Sequence, residues 1–345
     1  MKAIICSRFG PPDQLVMTDV PGPKVDRGQV VIRVEACGVN FPDTLIIEGK
    51  YQFKPPFPFS PGGEVAGTII EVGAGVGHLN VGDRVFSMTG HGGFAEEVVA
   101  SAATTLPMPP GMDYETAAST MYTYGTSYHA LKDRAGLQSD RGDRYRPGAP
   151  RFPAGTEAGP ETLLVLGAAG GVGLAAVQLG VLMGARVIAA ASTDEKLAVC
   201  RAMGAAETIN YTTENLRDRL KDLTGGRGVD VVYDPVGDRY AEPAIRSLAW
   251  KGRYLVVGFA AGEIPSIPLN LALLKGASIV GVFWGAFAQR EPETSKQNFK
   301  QILTWIASGQ LKQHIHKLYS LAEAPDALRD LIERRVIGKA VIRVK

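Results

Sequence analysis

Four glycines fall close together at Gly167, Gly170, Gly171 and Gly173. The chemistry that such spacing serves is the capture of a phosphate or pyrophosphate by backbone amides. Leu163-Leu164-Val165-Leu166 precedes the turn, and four apolar residues suit a strand buried on both faces. Leu174-Ala175-Ala176-Val177-Gln178-Leu179 follows and suits a helix. Strand, glycine turn and helix in that order put a helix N-terminus, with its free N–H groups, against an anion. The spacing fits G-x-G-x-x-G with Ala169 at the second glycine position. A lone glycine turn also occurs as an ordinary tight turn in α/β proteins. What separates the two readings is the next element. Residues 184–192 read as a second strand that ends about 20 residues past the turn, the βαβ length of a Rossmann unit.

The end of that second strand reports on the nucleotide. An acidic side chain there binds the ribose 2′-OH of NAD, whereas a 2′-phosphate needs hydroxyls and a cation. This chain carries Ser192 and Thr193, with Lys196 one helical turn on, which favours NADPH over NADH. Asp194 and Glu195 lie just beyond and also fit the start of a helix. Lys196 has a plainer reading as a solvated lysine on a helix face.

These residues need a scaffold, and the chain is long enough to build one. At 345 residues it suits two domains. The net charge of +2 supplies no basic stripe for nucleic acid or an anionic membrane. Three cysteines, Cys6, Cys37 and Cys200, form no disulfide framework and point to a reducing compartment such as the cytoplasm. Residues 162–185 carry no charge, yet their clustered glycines read better as strand–turn–helix than as a membrane span.

The first 120 residues are rich in β signals. Residues 29–36 alternate apolar and polar, and 64–72, 82–88 and 92–99 are further short strands punctuated by glycine, as in an irregular barrel or sandwich. From Tyr114 to Leu131 the pattern is helical. βαβ units then run to about residue 285, with strands expected at 163–166, 186–191, 207–210, 229–233, 253–257 and 277–283. The tail reads as a helix at 295–308, a strand at 311–318, a helix at 322–334 and a strand at 340–344. It suits a return to the N-terminal domain. The expected organisation is a catalytic domain of 1–125 and 289–345 and a nucleotide domain of 126–288. Residues 139–160, rich in Pro, Gly and Arg, read as a flexible insertion loop.

Several strings now coincide in order: Cys37-Gly38-Val39-Asn40-Phe41-Pro42-Asp43, Pro61-Gly62-Gly63-Glu64-Val65-Ala66-Gly67, and Val81-Gly82-Asp83-Arg84-Val85. Residues 123–131, the glycine turn and Asp230-Val231-Val232-Tyr233-Asp234-Pro235-Val236-Gly237 complete the set. Together they resemble the medium-chain dehydrogenase/reductase superfamily and, within it, the zinc-free NADPH:quinone oxidoreductase family that includes zeta-crystallin. The resemblance covers the chain apart from 139–160. It implies an α/β fold with a GroES-like irregular β-barrel catalytic domain and a doubly wound parallel Rossmann domain.

The same resemblance implies site residues. Asn40 stands beside the nicotinamide, holding its carboxamide or polarising the acceptor oxygen. Tyr51 stands in the substrate pocket, either as a stacking and proton-donating group or as a loop aromatic packed on Phe53 and Phe57. Gly170, Gly171, Val172 and Gly173 meet the pyrophosphate, and Thr126 the nicotinamide side. Ser192, Lys196 and Tyr211 surround the 2′-phosphate and adenine, and Gly258 and Phe259 line the nicotinamide ribose. Arg334 and Lys339 close over the 2′-phosphate or are surface charge. Pro235 and Leu45 depart from some relatives, which carry serine and tyrosine there; that weakens any transfer of substrate specificity.

A catalytic zinc needs three protein ligands and an open position. In the metal-dependent branch these include Cys at 37 and His at 63, and here position 63 is glycine. His314 and His316 share a strand face and read as solvated. Without a Lewis acid, hydride transfer suits an electron-poor acceptor, a quinone or an α,β-unsaturated carbonyl. An enoyl- or acryloyl-CoA reductase is the near alternative. A crystallin-like or RNA-binding protein without enzymatic activity is the distant one, with nucleic acid disfavoured because only four arginines, interleaved with acids, mark 139–160. A homodimer paired through the apolar stretch 277–287 is also expected.

Overall fold

The computed structural model describes residues 1–137 and 160–344, so the insertion read at 139–160 lies, but for its last residue, outside the described residues. The chain divides into two units, Met1–Tyr122 with Gln313–Lys345, and Thr123–Lys312.

The first unit opens with an antiparallel pair, β1 (Lys2–Ile5) and β2 (Val16–Asp19). Its spine is β3 (Gln29–Val39), followed by β4 (Glu64–Val72), β5 (Arg84–Met88), β6 (Glu97–Ser101) and β7 (Thr105–Pro107). One edge of β3 bonds β4 along its length. The other edge is shared, with β6 on its first half. The core is built from the inward residues of these strands, among them Val30, Ile32, Val34, Ile69, Val85 and Phe94.

The second unit carries six parallel strands. They are β8 (Thr162–Leu166), β9 (Arg186–Ala191), β10 (Glu207–Asn210), β11 (Val229–Asp234), β12 (Leu248–Val256) and β13 (Ser278–Gly281). Their order is β10-β9-β8-β11-β12-β13. All of β8 is buried, which is why it reads as an unbroken apolar run rather than an alternating one. The helix Gly171–Leu182 is apolar on nearly every side because most of it is buried too. Among the described residues no helix is long and apolar enough to cross a membrane.

The strand read at 92–99 spans Glu97–Ser101 and that read at 311–318 spans Ile315–Ser320, and three further features differ from the sequence reading. Strand β12 starts at Leu248, not 253, because Lys251 turns through a left-handed φ of 62° and Trp250-Lys251-Gly252 hides the strand pattern. The helical stretch expected from 114 to 131 is a short helix, Tyr114–Ala117, then wide-turn segments at Met121–Gly125 and His129–Arg134 flanking Thr126–Tyr128. The Ala135 amide reaches the Ala130 carbonyl at 2.8 Å, one residue further than α-helix geometry. The helix Pro292–Ala307 packs in the second unit, where Phe299 meets Trp284 at 5.9 Å and Asn298 Nδ2 donates to Asp133 at 2.7 Å. The chain therefore returns to the first unit at Gln313 rather than at 289. There β14 (Ile315–Ser320) and β15 (Lys339–Arg343) finish the sheet, with β15 on the remaining edge of β3.

Candidate active site

In the second unit the carboxyl ends of β8 to β12 share one edge, and strand order runs outward in opposite directions from β8 and β11. That reversal opens a crevice, the place where nucleotides bind in doubly wound sheets. The glycine turn lies there. Gly167 takes a left-handed φ of 56°, where a Cβ would also stand 2.7 Å from the Val236 side chain, and a Cβ on Gly173 would stand 2.3 Å from the Gly167 carbonyl oxygen, so both positions favour glycine. Gly170 caps the helix Gly171–Leu182, and the amides of the first turn have no intrahelical acceptor. The result is a ring of donors fit for a pyrophosphate.

Thr126 is half-buried on its short helix. Its neighbour Ser127 donates to the Val172 carbonyl at 2.9 Å and shares a hydrogen bond of 2.9 Å with the Tyr233 hydroxyl. This ties the helix to the glycine turn. After β9, the Lys196 ammonium donates to Ser192 Oγ at 3.1 Å, which puts a hydroxyl and a cation together. Asp194 accepts from Asn210 Nδ2 at 2.9 Å and lies in the first turn of the helix Asp194–Ala202, with Thr193 as its cap. Tyr211 follows β10, its ring 4.4 Å from that of Tyr240. Both line a cavity of about 750 Å³, together with Asn215, Arg239, Arg246 and Glu263. Gly258 and Phe259 follow β12, and Gly258 donates to the Asp234 carbonyl at 3.3 Å.

Sequence reasoning missed Asp234 as an organiser of this edge. Its buried carboxylate accepts from the amides of Val236 at 2.7 Å and Gly237 at 2.9 Å, and from the Tyr254 hydroxyl. Burial pushes its pKa up, and those donors oppose the push. The signal was an acid directly before proline at a strand end.

The first unit holds a buried polar cluster. The helix Phe41–Ile47 begins at Asn40, whose backbone amide donates to the Asp43 carboxylate at 2.7 Å. The Asn40 side chain donates both of its N–H groups, to Gly38 O at 3.2 Å and Glu64 Oε2 at 3.0 Å. Its Oδ1 accepts from Lys339 Nζ at 2.6 Å. Glu64, 0% exposed, also accepts from the amides of Met121 at 2.6 Å and Tyr122 at 3.1 Å. Burial pushes the Asp43 carboxyl up to about 7 against the opposing pull of the Asn40 amide and Lys339.

Tyr51 packs on the barrel core, and among the described residues no ring pair joins it to Phe53 or Phe57. Burial, then Asp43, raise its pKa. Cys37 is fully buried, and burial holds its thiol well above the usual range.

The placement of Lys339 differs from the expectation that it closes over a 2′-phosphate. It is 3% exposed, and its three ammonium donors meet Val39 O at 3.0 Å, Asn40 Oδ1 at 2.6 Å and Glu64 Oε2 at 3.4 Å. A lysine with all donors occupied inside the barrel has none for a phosphate. Arg334 lies in the same unit as Lys339, after the helix Ala324–Ile332, with φ at 60°. Ser192, Lys196 and Tyr211 belong to the other unit.

Among the described residues no three His, Cys, Asp or Glu side chains group as metal ligands. A Cβ on Gly63 would stand 3.0 Å from both the Gly90 carbonyl oxygen and the Tyr122 hydroxyl, so a side chain there requires those neighbours to give by a few tenths of an ångström.

Comparison with known proteins agrees with both units. Residues 26–110 match the alcohol dehydrogenase GroES-like domain, and 171–308 match the zinc-binding dehydrogenase family. The chain is 38% identical to a quinone oxidoreductase-like protein 2 homolog of Nematostella vectensis, over 100% of this chain and 89% of that one. It superposes on a mycobacterial protein solved complexed with NADPH, with a TM-score of 0.88 and 31% identity over 99% of this chain and 100% of that one. For the Escherichia coli quinone oxidoreductase complexed with NADPH the TM-score is 0.87, with 27% identity over 99% and 100% of the two chains. The fold is that of a medium-chain dehydrogenase/reductase. Within that superfamily the chain belongs to the quinone oxidoreductase family.

Proposed function

We propose that this protein is an NADPH-dependent reductase that passes hydride, without a metal, to a quinone or an α,β-unsaturated carbonyl. The observation that carries the reading is the Ser192–Lys196 pair at the end of β9, where NAD enzymes carry a carboxylate. The NADPH in the mycobacterial and Escherichia coli relatives supports it.

In this reading Gly170, Gly171, Val172 and Gly173 hold the pyrophosphate, Ser192 and Lys196 the 2′-phosphate, and Tyr211 the adenine side. Thr126, Gly258 and Phe259 face the nicotinamide ribose. When bound, the dihydronicotinamide supplies the hydride. Asn40 holds the carboxamide side of the nicotinamide, and its bonds to Gly38, Glu64 and Lys339 fix its orientation. Tyr51, held as a phenol at neutral pH, donates its proton to the developing oxyanion. The glycine at 63 supports metal-free transfer, because an electron-poor acceptor takes hydride without a Lewis acid. Strand β13 bonds only β12 within the sheet and exposes Ile279 and Phe283 nearby, which supports a homodimer paired along that edge.

The test is steady-state NADPH oxidation with a naphthoquinone against crotonyl-CoA. The quinone is expected to turn over faster, and Ser192→Ala with Lys196→Ala is expected to lower the NADPH-over-NADH preference about 10- to 100-fold. No oxidation with any quinone or enone refutes the assignment, and an unchanged preference refutes the phosphate site.

A further inference from the structure

The first unit carries an aromatic wall that neither the cofactor site nor the buried cluster uses. Phe53 is 50% exposed and Phe57 is 42% exposed, although both are large apolar rings. Phe53 stacks on His91 with ring centres 5.8 Å apart and an interplanar angle of 25°. His91 meets Phe59 edge-on at 6.2 Å, Phe59 stacks on Phe57 at 5.6 Å, and Phe57 meets Phe9 at 4.6 Å. Five rings thus form one chain of contacts, with Phe59 buried in its middle and Phe53, Phe57 and Phe9 open to solvent.

The wall runs into the region assigned to the acceptor. Tyr51 lies two residues before Phe53. On the other side, His91 follows Gly90, whose carbonyl stands 3.0 Å from the point where a Cβ on Gly63 would lie, as does the Tyr122 hydroxyl. Tyr122 in turn lies close enough to Tyr51 and Asp43 for their charges to act on its hydroxyl. The wall thus shares its two loop stretches, 51–53 and 90–91, with Tyr51 and with the carbonyl beside Gly63, and the Tyr122 hydroxyl neighbours Gly63 as well. Burial lowers the pKa of His91, which leaves a neutral imidazole to stack at neutral pH.

We infer that Phe53 and His91, extended by Phe57, are specificity-determining residues that seat the second ring of a planar fused-ring acceptor whose first ring lies at Tyr51. This rests on the reductase reading above. A single-ring quinone reaches Tyr51 alone, whereas a fused ring gains offset stacking on the wall. Stacked aromatic pairs contribute about 0.5–1.5 kcal/mol beyond area burial, about a two- to tenfold preference. An aliphatic acyl thioester offers no flat ring to stack.

The experiment compares 1,4-naphthoquinone with p-benzoquinone as acceptors for wild type, Phe53→Ala and Phe53→Trp. Phe53→Ala is expected to lower the naphthoquinone-over-benzoquinone ratio of kcat/KM about five- to tenfold, through KM rather than kcat. Phe53→Trp is expected to restore it. An unchanged ratio, or a loss carried by kcat, overturns the inference. If the wild type oxidises NADPH with neither quinone, the reductase reading fails. Equilibrium dialysis of 1,4-naphthoquinone then decides the wall alone: weaker binding to Phe53→Ala than to wild type upholds it, and equal binding overturns it.

Discussion

Lys339→Met is the most informative single change in the barrel unit. The variant keeps the length and apolar stem of lysine but removes the ammonium. It leaves Asn40 Oδ1 without its 2.6 Å donor and Glu64, 0% exposed, without its counter-charge. Removing one partner of a buried ion pair costs about 3–5 kcal/mol, because the remaining charge stays desolvated. The two backbone amides on Glu64 Oε1 offset part of this, which places the expectation at about 3 kcal/mol. Urea unfolding of the variant, with the slope compared to wild type, measures the loss. NADPH and NADH kinetics of the folded variant supply the second readout. Both coenzymes are expected to suffer alike, since Asn40 loses its orientation and neither ribose is touched. A loss below about 1 kcal/mol would refute the buried network. A selective fall with NADPH would return Lys339 to the 2′-phosphate.

Two further outcomes follow from the same geometry. Asp43 is raised above the ordinary carboxylate value to about 7, so the folded state holds a proton that the unfolded chain releases near pH 4. Its contribution to stability is greatest below about pH 4 and is lost as pH rises through about 7, by up to about 4 kcal/mol, and the difference in stability between wild type and Asp43→Asn should fall across that window. A flat difference would refute the shift. For the sheet edge, Ile279→Lys with Phe283→Glu should convert a dimer to a monomer in light scattering at micromolar protein with cofactor binding intact, and a wild type that is already monomeric would refute the pairing.

The nucleotide edge was legible because its physics is local. Parallel strands buried on both faces leave apolar runs, and a glycine turn leaves its own mark between strand and helix. Strands 186–191 and 207–210 carry the bounds read from the chain. The barrel cluster was legible only in part. Asn40 and Glu64 sit in motif strings, but their partner Lys339 is 299 residues from Asn40. A buried polar residue leaves no periodic trace, and a lysine near the end of a chain reads as surface. The helix Pro292–Ala307 shows the same limit, since an amphipathic pattern announces a buried face without saying which neighbour covers it.

The Tyr122 hydroxyl beside Gly63 has a consequence for how such a protein can change over time. Any side chain at 63 presses its Cβ against the Tyr122 hydroxyl and the Gly90 carbonyl. Shrinking Tyr122 first opens a hole with nothing to fill it. Positions 63 and 122 are therefore coupled, and what one tolerates depends on the size of the other. The tyrosine at 122 thereby limits which residues position 63 can accept without a second change.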